Sequence, residues 1–112
     1  MVKIFVLEVG RPIRGAVEKQ FGKVDDYVSY PRAISETEIP KIVAEAYRKI
    51  MKLAEEGEEV YIILSGMLAL SFQLGQVIGL GKVKVTVYQY SMGKYVRVPP
   101  ITREHLFQSQ TT

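Results

Sequence analysis

The sequence contains no cysteine, no tryptophan and a single histidine, His105. The absence of cysteine excludes disulfides, thiolate metal ligands and a cysteine nucleophile. Because the one histidine lies near the C-terminus, we expect neither a zinc site nor a Ser-His-Asp triad around it. The sequence therefore predicts a cytoplasmic protein without a bound metal or other cofactor.

Long apolar runs and clusters of charge are also missing. No stretch approaches the ~20 apolar residues of a membrane-spanning helix. The opening MVKIFVLEVG is interrupted by Glu8 and is too short for a signal peptide. The net charge is +3 and no basic run exceeds two residues, a weak bias that suits a small polyanion. We expect neither a membrane nor a long nucleic acid as a partner.

What the chain does contain is an alternation of strand and helix patterns typical of an α/β fold. Strands are predicted at Val2–Glu8, Val24–Tyr30, Val60–Leu64, Val83–Tyr90 and Tyr95–Val98, and helices at Ile13–Phe21, Thr37–Glu56 and Met67–Ile78. This order requires crossover helices, and so predicts a mainly parallel sheet with helices on both faces and a C-terminal β-hairpin. One small domain is expected over residues 1–101, with a tail over 102–112 that forms at most a helical turn.

Two of the predicted helices differ in character. Thr37–Glu56 has one apolar stripe and one charged side, and Gly57 ends it. Since Pro40 lacks an amide hydrogen and must fall in the first turn, Thr37 is the expected N-cap. Met67–Ile78 is apolar on nearly every side, which predicts a buried or interfacial helix.

Small and basic residues follow the predicted strands at their carboxyl ends, where ligands bind to open α/β sheets. The segments are Gly10-Arg11-Pro12, Pro31-Arg32-Ala33 and Ser65-Gly66-Met67, with Gln89 close to the end of the fourth strand. Arginine is a bidentate phosphate binder, so these loops indicate an anion site. Each residue also has a plainer interpretation, as a turn former, a surface charge or a helix cap. The glycine spacing fits neither GxGxxG nor GxxxxGK[ST].

Two stretches resemble a known family. VYIILSGMLALSFQLGQVIGLGKVKVTVYQYSMGKYVRVPPI and the opening VLEVGRPI are similar to the CRISPR-associated Rossmann fold (CARF) proteins and the related SAVED domains, which sense cyclic oligoadenylate. The chain looks like a small stand-alone accessory of type III CRISPR systems, of the kind that includes ring nucleases. The resemblance implies a CARF-like Rossmann domain over residues 1–101.

The resemblance also implies a function. Such domains form homodimers that bind a ring of adenylates, here expected to be cyclic tetra-adenylate, across the two-fold axis. By position, Gly10, Arg11 and Pro12 and the turn Ser65-Gly66-Met67 become ligand contacts, and geometry adds Arg32 and Gln89, whose amide can read an adenine edge.

Metal-independent ring cleavage would use a ribose 2′-hydroxyl as nucleophile, with Arg11 stabilising charge and Ser65 positioning the reacting groups. The sequence has no evident general base for this step. Two alternatives stay open: a module that binds or sequesters the messenger without cleaving it, and an unrelated small α/β interaction protein.

Overall fold

We analysed a computed structural model, which describes residues 1–57, 59–66, 68–81 and 83–107. It contains five strands and four α-helices, and these elements begin and end close to the sequence prediction. They are β1 (Val2–Val9), α1 (Arg14–Phe21), β2 (Asp26–Tyr30), α2 (Ile39–Glu56), β3 (Glu59–Ser65), α3 (Leu68–Leu80), β4 (Val85–Ser91), β5 (Lys94–Arg97) and α4 (Arg103–Phe107).

The five strands form one sheet in the order β2-β1-β3-β4-β5. All neighbouring pairs are parallel except β4 and β5, which are antiparallel. The α/β class and the mainly parallel sheet are therefore confirmed, and the antiparallel β4–β5 pair is consistent with the predicted hairpin. The turn between those two strands places Met92 and Gly93 at positive φ, the geometry of a two-residue hairpin turn.

Alternate residues of the central strands pack on opposite faces of the sheet. Phe5, Leu7 and Ile62 pack in the larger core with the buried stripe of α2 and with two residues of α3. Val6 and Ile63 pack on the opposite face with Val17 of α1 and with Tyr95 of β5. We call these the α2–α3 face and the α1 face. Because both faces are buried, β1 and β3 are almost continuously apolar, as the sequence indicated.

The start of α2 differs from the prediction. A short 3₁₀ turn, Glu36–Glu38, precedes the helix, and the N-cap position is Glu38 rather than Thr37. The Thr37 hydroxyl lies 2.9 Å from the hydroxyl of Ser35 and therefore does not cap the helix. Pro40 occupies the first turn and Gly57 ends the helix, as predicted.

Helix α3 leaves several of its apolar side chains exposed. Only Leu70 and Leu74 are buried, whereas Leu68, Phe72 and Leu80 are 89%, 70% and 84% exposed. An exposed apolar helix face of this kind is typical of an interaction surface. In the part of the chain that the structure describes, no helix combines the length and apolar character needed to cross a membrane.

The outer edge of β5 is engaged by a side chain of α1. The Gln20 amide nitrogen donates to the Tyr95 carbonyl at 2.7 Å, and the Tyr95 amide donates to the Gln20 side-chain oxygen at 2.8 Å. The amide group of Gln20 thus replaces a neighbouring strand at this position and satisfies backbone groups that would otherwise invite pairing with another chain. It also fixes the distance between α1 and the β4–β5 pair.

Candidate functional site

The carboxyl ends of the parallel strands meet at one edge of the sheet, which we call the rim and define by residues 10–12, 31–33 and 65–66. Two hydrogen bonds connect its loops. The Gly10 amide donates to the Tyr30 carbonyl at 2.7 Å, and the Ser65 hydroxyl donates to the Arg11 carbonyl at 2.9 Å. The segments that the sequence placed together through topology are therefore in direct contact.

Two glycines allow the backbone to turn at the rim. Gly10 has a φ of 81° and Gly66 a φ of 138°, values that favour glycine. At Gly66 there is also a steric requirement, because a Cβ would lie 3.0 Å from the Cβ of Val9. Gly66 thus lets the β3–α3 turn approach the end of β1 closely.

We expect the substitution Gly66→Ala to lower the free energy of unfolding by about 1–3 kcal/mol, because it adds backbone strain and crowds Val9. Gly75→Ala is the matched control: Gly75 lies in α3 and its Cβ would meet nothing within 4 Å, so we expect it to gain about 0.5–1 kcal/mol. Urea unfolding of both variants measures the difference. Equal stability of the two would show that the turn does not require glycine.

The anion-binding end of α1 is already occupied by Glu8, which is only 4% exposed. Its Oε1 accepts the backbone amides of Ile13 and Arg14 at 2.8 and 3.0 Å. Its Oε2 accepts the Ser29 hydroxyl at 2.8 Å and the Arg14 side chain at 3.2 Å. Glu8 therefore satisfies the amides that would otherwise attract a phosphate to this helix end.

The charge state of Glu8 follows from these contacts. Burial raises the pKa of the Glu8 carboxyl, whereas the hydrogen bonds from Ile13, Ser29 and Arg14 lower it. Together the hydrogen bonds have the larger effect, so the pKa lies below its ordinary value. Glu8 is thus a fixed negative charge at neutral pH. A carboxylate with a lowered pKa and four donors is a weak general base.

The three arginines at or near the rim differ in how they are engaged. Arg14 is held by Glu8 and lies 3.6 Å above the centre of the Tyr27 ring. Arg32 pairs with Glu38 at 3.1 Å. Among the described residues, no hydrogen bond or ion pair holds the guanidinium of Arg11, and the residue is exposed. Arg11 is therefore the rim cation available to a ligand.

The positive charge of Arg11 affects the pKa of Tyr95, which lies on the α1 face of the sheet. Burial raises the pKa of the Tyr95 hydroxyl, and the positive charge of Arg11 opposes that rise. The Tyr95 ring packs edge to face against Tyr90, with centroids 5.3 Å apart. The positive charge of this rim residue therefore acts on a tyrosine of the α1 face.

The Ser65 hydroxyl acts as a donor within the rim, which fixes the direction of its proton. Its proton is donated to the Arg11 carbonyl, so its oxygen keeps lone pairs and can accept a hydrogen bond from a ligand. An acceptor at this position suits a ribose hydroxyl better than a phosphate oxygen. Ser65 is also half-buried at the end of β3, which limits its movement.

Three further residues were predicted to contact the ligand: Pro12, Gln89 and Met67. Pro12 lines, with Gly10 and Arg11, a cavity of only about 10 Å³, the size of one water. Gln89 is exposed on β4 and alternates with Tyr88 and Tyr90, so it points to the α2–α3 face rather than to the α1 face where the charge of Arg11 acts. Met67 lies outside the described residues. The structure thus joins Gly10, Arg11, Ser65 and Gly66, and separates Gln89 from them.

The sequence did not indicate the roles of two further residues, Glu8 and Gln20. Glu8 stood one residue inside a predicted strand, and nothing in the pattern showed that it would turn to cap α1. Gln20 and Tyr95 are 75 residues apart, so only the folded chain brings them together. Within the described residues, no group of three His, Asp or Glu side chains could hold a metal ion.

Comparisons with known proteins leave the family undetermined. No family model matches the chain, and no curated protein or solved structure resembles it significantly. The class that the fold defines is a small α/β protein with a mostly parallel five-stranded sheet. Its function must be inferred from the rim itself.

Proposed function

We propose that this protein binds cyclic oligoadenylate, with cyclic tetra-adenylate as the preferred ring, and cleaves it slowly without a metal to end type III CRISPR antiviral signalling. In this proposal the α/β fold is a CARF-like Rossmann domain, and the ligand lies across the two-fold axis of a homodimer. The observation that carries the proposal lies at the rim: the Ser65 hydroxyl donates to the Arg11 backbone carbonyl and can still accept, and among the described residues no hydrogen bond or ion pair engages the Arg11 guanidinium.

The chemistry of the rim suits a phosphate-sugar ring. Arginine binds phosphate through paired donors, and Ser65 can accept from a 2′-hydroxyl. The 13-residue helix α3 begins just after Gly66, so the positive end of its dipole faces the same edge. Glu8 neutralises the end of α1, which leaves Arg11 and the β3–α3 turn as the attractive positions for an anion.

The proposed dimer uses the apolar surface of α3. Leu68 and Phe72 are largely exposed, and an apolar groove of about 440 Å³ continues from α3 onto Val87 of β4 and Ile101. Burying this surface against a second copy would compensate for the limited core of a chain this short. A two-fold axis near α3 would also present two rims to one symmetric ligand.

In the cleavage step, the 2′-hydroxyl oxygen attacks the adjacent phosphorus and the bond from phosphorus to the 5′-oxygen breaks. The products are a 2′,3′-cyclic phosphate end and a 5′-hydroxyl, which takes up a proton as the 2′-hydroxyl loses one. Arg11 would stabilise the charge that develops on the phosphoryl oxygens, and Ser65 would hold the attacking hydroxyl in line.

A second candidate, sequestration without cleavage, is favoured by a separate observation. The carboxylate of Glu8, near the end of β1, is a weak base held by four hydrogen bonds, and His105 lies in α4, where its ring accepts from the Thr102 amide. Glu8 is the register partner of Ser65 on the neighbouring strand, but a carboxylate with a lowered pKa and four donors is poorly suited to remove the 2′ proton.

We expect incubation of labelled cyclic tetra-adenylate with an excess of protein to give a linear product with a cyclic phosphate end, at the same rate with and without EDTA. The Ser65→Ala variant should retain binding but cleave more slowly. Retention of intact ring on a native gel, without product after long incubation, would establish sequestration instead. Failure to bind rings of any size would favour the third possibility, an α/β interaction protein.

A further inference from the structure

A second concave surface opens next to the rim, between α1 and the β4–β5 pair. This groove has a volume of about 320 Å³ and is lined by Ala16, Lys19, Gln20, Tyr90, Gly93 and Tyr95. Tyr90 lies one residue before the end of β4, and Gly93 lies in the turn that follows. The groove therefore begins at the carboxyl edge of the sheet, where the Arg11 and Ser65 loops also lie.

The lining combines an exposed aromatic ring with positive charge. Tyr90 is 53% exposed, and its edge-to-face contact with Tyr95 leaves much of the ring open to a ligand. Lys19 lies on the α1 side and is exposed, and the charge of Arg11 acts on the Tyr95 hydroxyl. The six lining residues, all in the described part of the chain, include no carboxylate.

The groove walls are held in place without the ligand. The two hydrogen bonds between Gln20 and the Tyr95 backbone join α1 to β5, and both residues line the groove; Tyr95 is itself buried. Little side-chain ordering is then needed for a flat ligand to enter, which favours binding. A groove that is lined by an exposed aromatic ring and a lysine, and whose walls are joined by hydrogen bonds, suits a base attached to a phosphate.

We propose that the groove between α1 and the β4–β5 pair receives a base of the bound oligoadenylate, which stacks on Tyr90 while Lys19 and Arg11 attract the neighbouring phosphate. This inference rests on the proposed function and adds to it a base subsite on the α1 face. Gln89 faces the other side of the sheet, so Tyr90 replaces it as the base-contacting residue of β4.

The test is calorimetric titration of cyclic tetra-adenylate into the wild-type protein and two matched pairs of variants. Tyr90→Leu keeps apolar bulk but removes the ring, and we expect binding to weaken roughly 5- to 150-fold. Tyr90→Phe keeps the ring and should bind within about twofold of wild type. Lys19→Gln should weaken binding, whereas Lys23→Gln, the same change at an exposed residue outside the groove, should not.

A measurement on the unmodified chain removes any dependence on how the variants fold. Proton NMR of the complex should show nuclear Overhauser contacts between an adenine H2 or H8 and the ring protons of Tyr90. Wild-type binding with no such contact, or with full affinity in a folded Tyr90→Leu variant, would overturn the base subsite and leave the proposed function standing. Absence of any binding by the wild type would overturn both.

Discussion

Arg11→Ala is expected to weaken the binding of cyclic tetra-adenylate at least about 100-fold. A hydrogen bond to a charged group contributes about 1.5–3 kcal/mol, and in the proposed two-fold dimer one substitution removes the guanidinium from both halves of the site. The Ser65 hydroxyl donates to the backbone carbonyl of Arg11, so this substitution leaves the connection between the two loops intact. Its effect therefore reports the loss of the Arg11 side chain and not of the backbone contact.

Two further variants make the Arg11 experiment specific. Arg11→Lys keeps the charge but loses the planar pair of donors, so we expect an intermediate loss of affinity. Arg48→Ala removes an exposed positive charge from α2 and should bind like wild type, which controls for the change in net charge. Titration at low and moderate salt measures all three, and an Arg11→Ala variant that binds normally would remove Arg11 from the site.

The second large effect is on stability. Glu8→Ala is expected to lower the free energy of unfolding by about 3 kcal/mol, because it leaves the amides of Ile13 and Arg14 and the hydroxyl of Ser29 without their buried acceptor. That loss is a large fraction of the ~5–15 kcal/mol typical of a small domain. Glu8→Gln should cost less, since an amide oxygen can still accept at the Oε1 position while its nitrogen cannot accept from Ser29 and Arg14.

Glu8 also predicts a dependence of stability on pH. Because the pKa of its carboxyl is lower in the folded chain than its ordinary value of 4.5, its contribution is fully present above that value and is lost as the pH falls through the folded pKa. We therefore expect the stability difference between wild type and Glu8→Gln to shrink on acidification. Glu18→Gln, at an exposed position of α1, should show no such change. A constant difference for Glu8→Gln would contradict the assignment.

The elements of the fold could be predicted because burial leaves a direct pattern in the sequence. The apolar runs of β1 and β3 indicated strands covered on both faces, and the stripe on α2 indicated a helix packed on a sheet. The residue at which α2 begins was harder to predict. Thr37 is a typical cap residue and Glu38 is not, yet Glu38 takes the N-cap position because of a 3₁₀ turn that periodicity does not encode.

Of the site, only the placement of its loops could be predicted from the sequence, because that placement follows from the topology of the sheet. The order of strands placed the Arg11 and Ser65 loops at one edge, and the structure adds the hydrogen bond between them. Which arginine remains available depended on Glu8 and Glu38, whose side chains engage Arg14 and Arg32. Contacts of this kind depend on rotamers and on residues far apart in the chain, so the sequence predicted both Arg11 and Arg32 as ligand contacts and could not show that Glu38 engages Arg32.

The central claim is that one cyclic oligoadenylate lies between two copies of this chain. Native mass spectrometry of the full chain with an equimolar amount of cyclic tetra-adenylate tests it most directly. We expect one dominant species with the mass of two chains and one ring, which is less abundant for the Arg11→Ala variant and unchanged for Arg48→Ala. A monomer that carries no ring at micromolar concentrations would contradict both the dimer and the ligand.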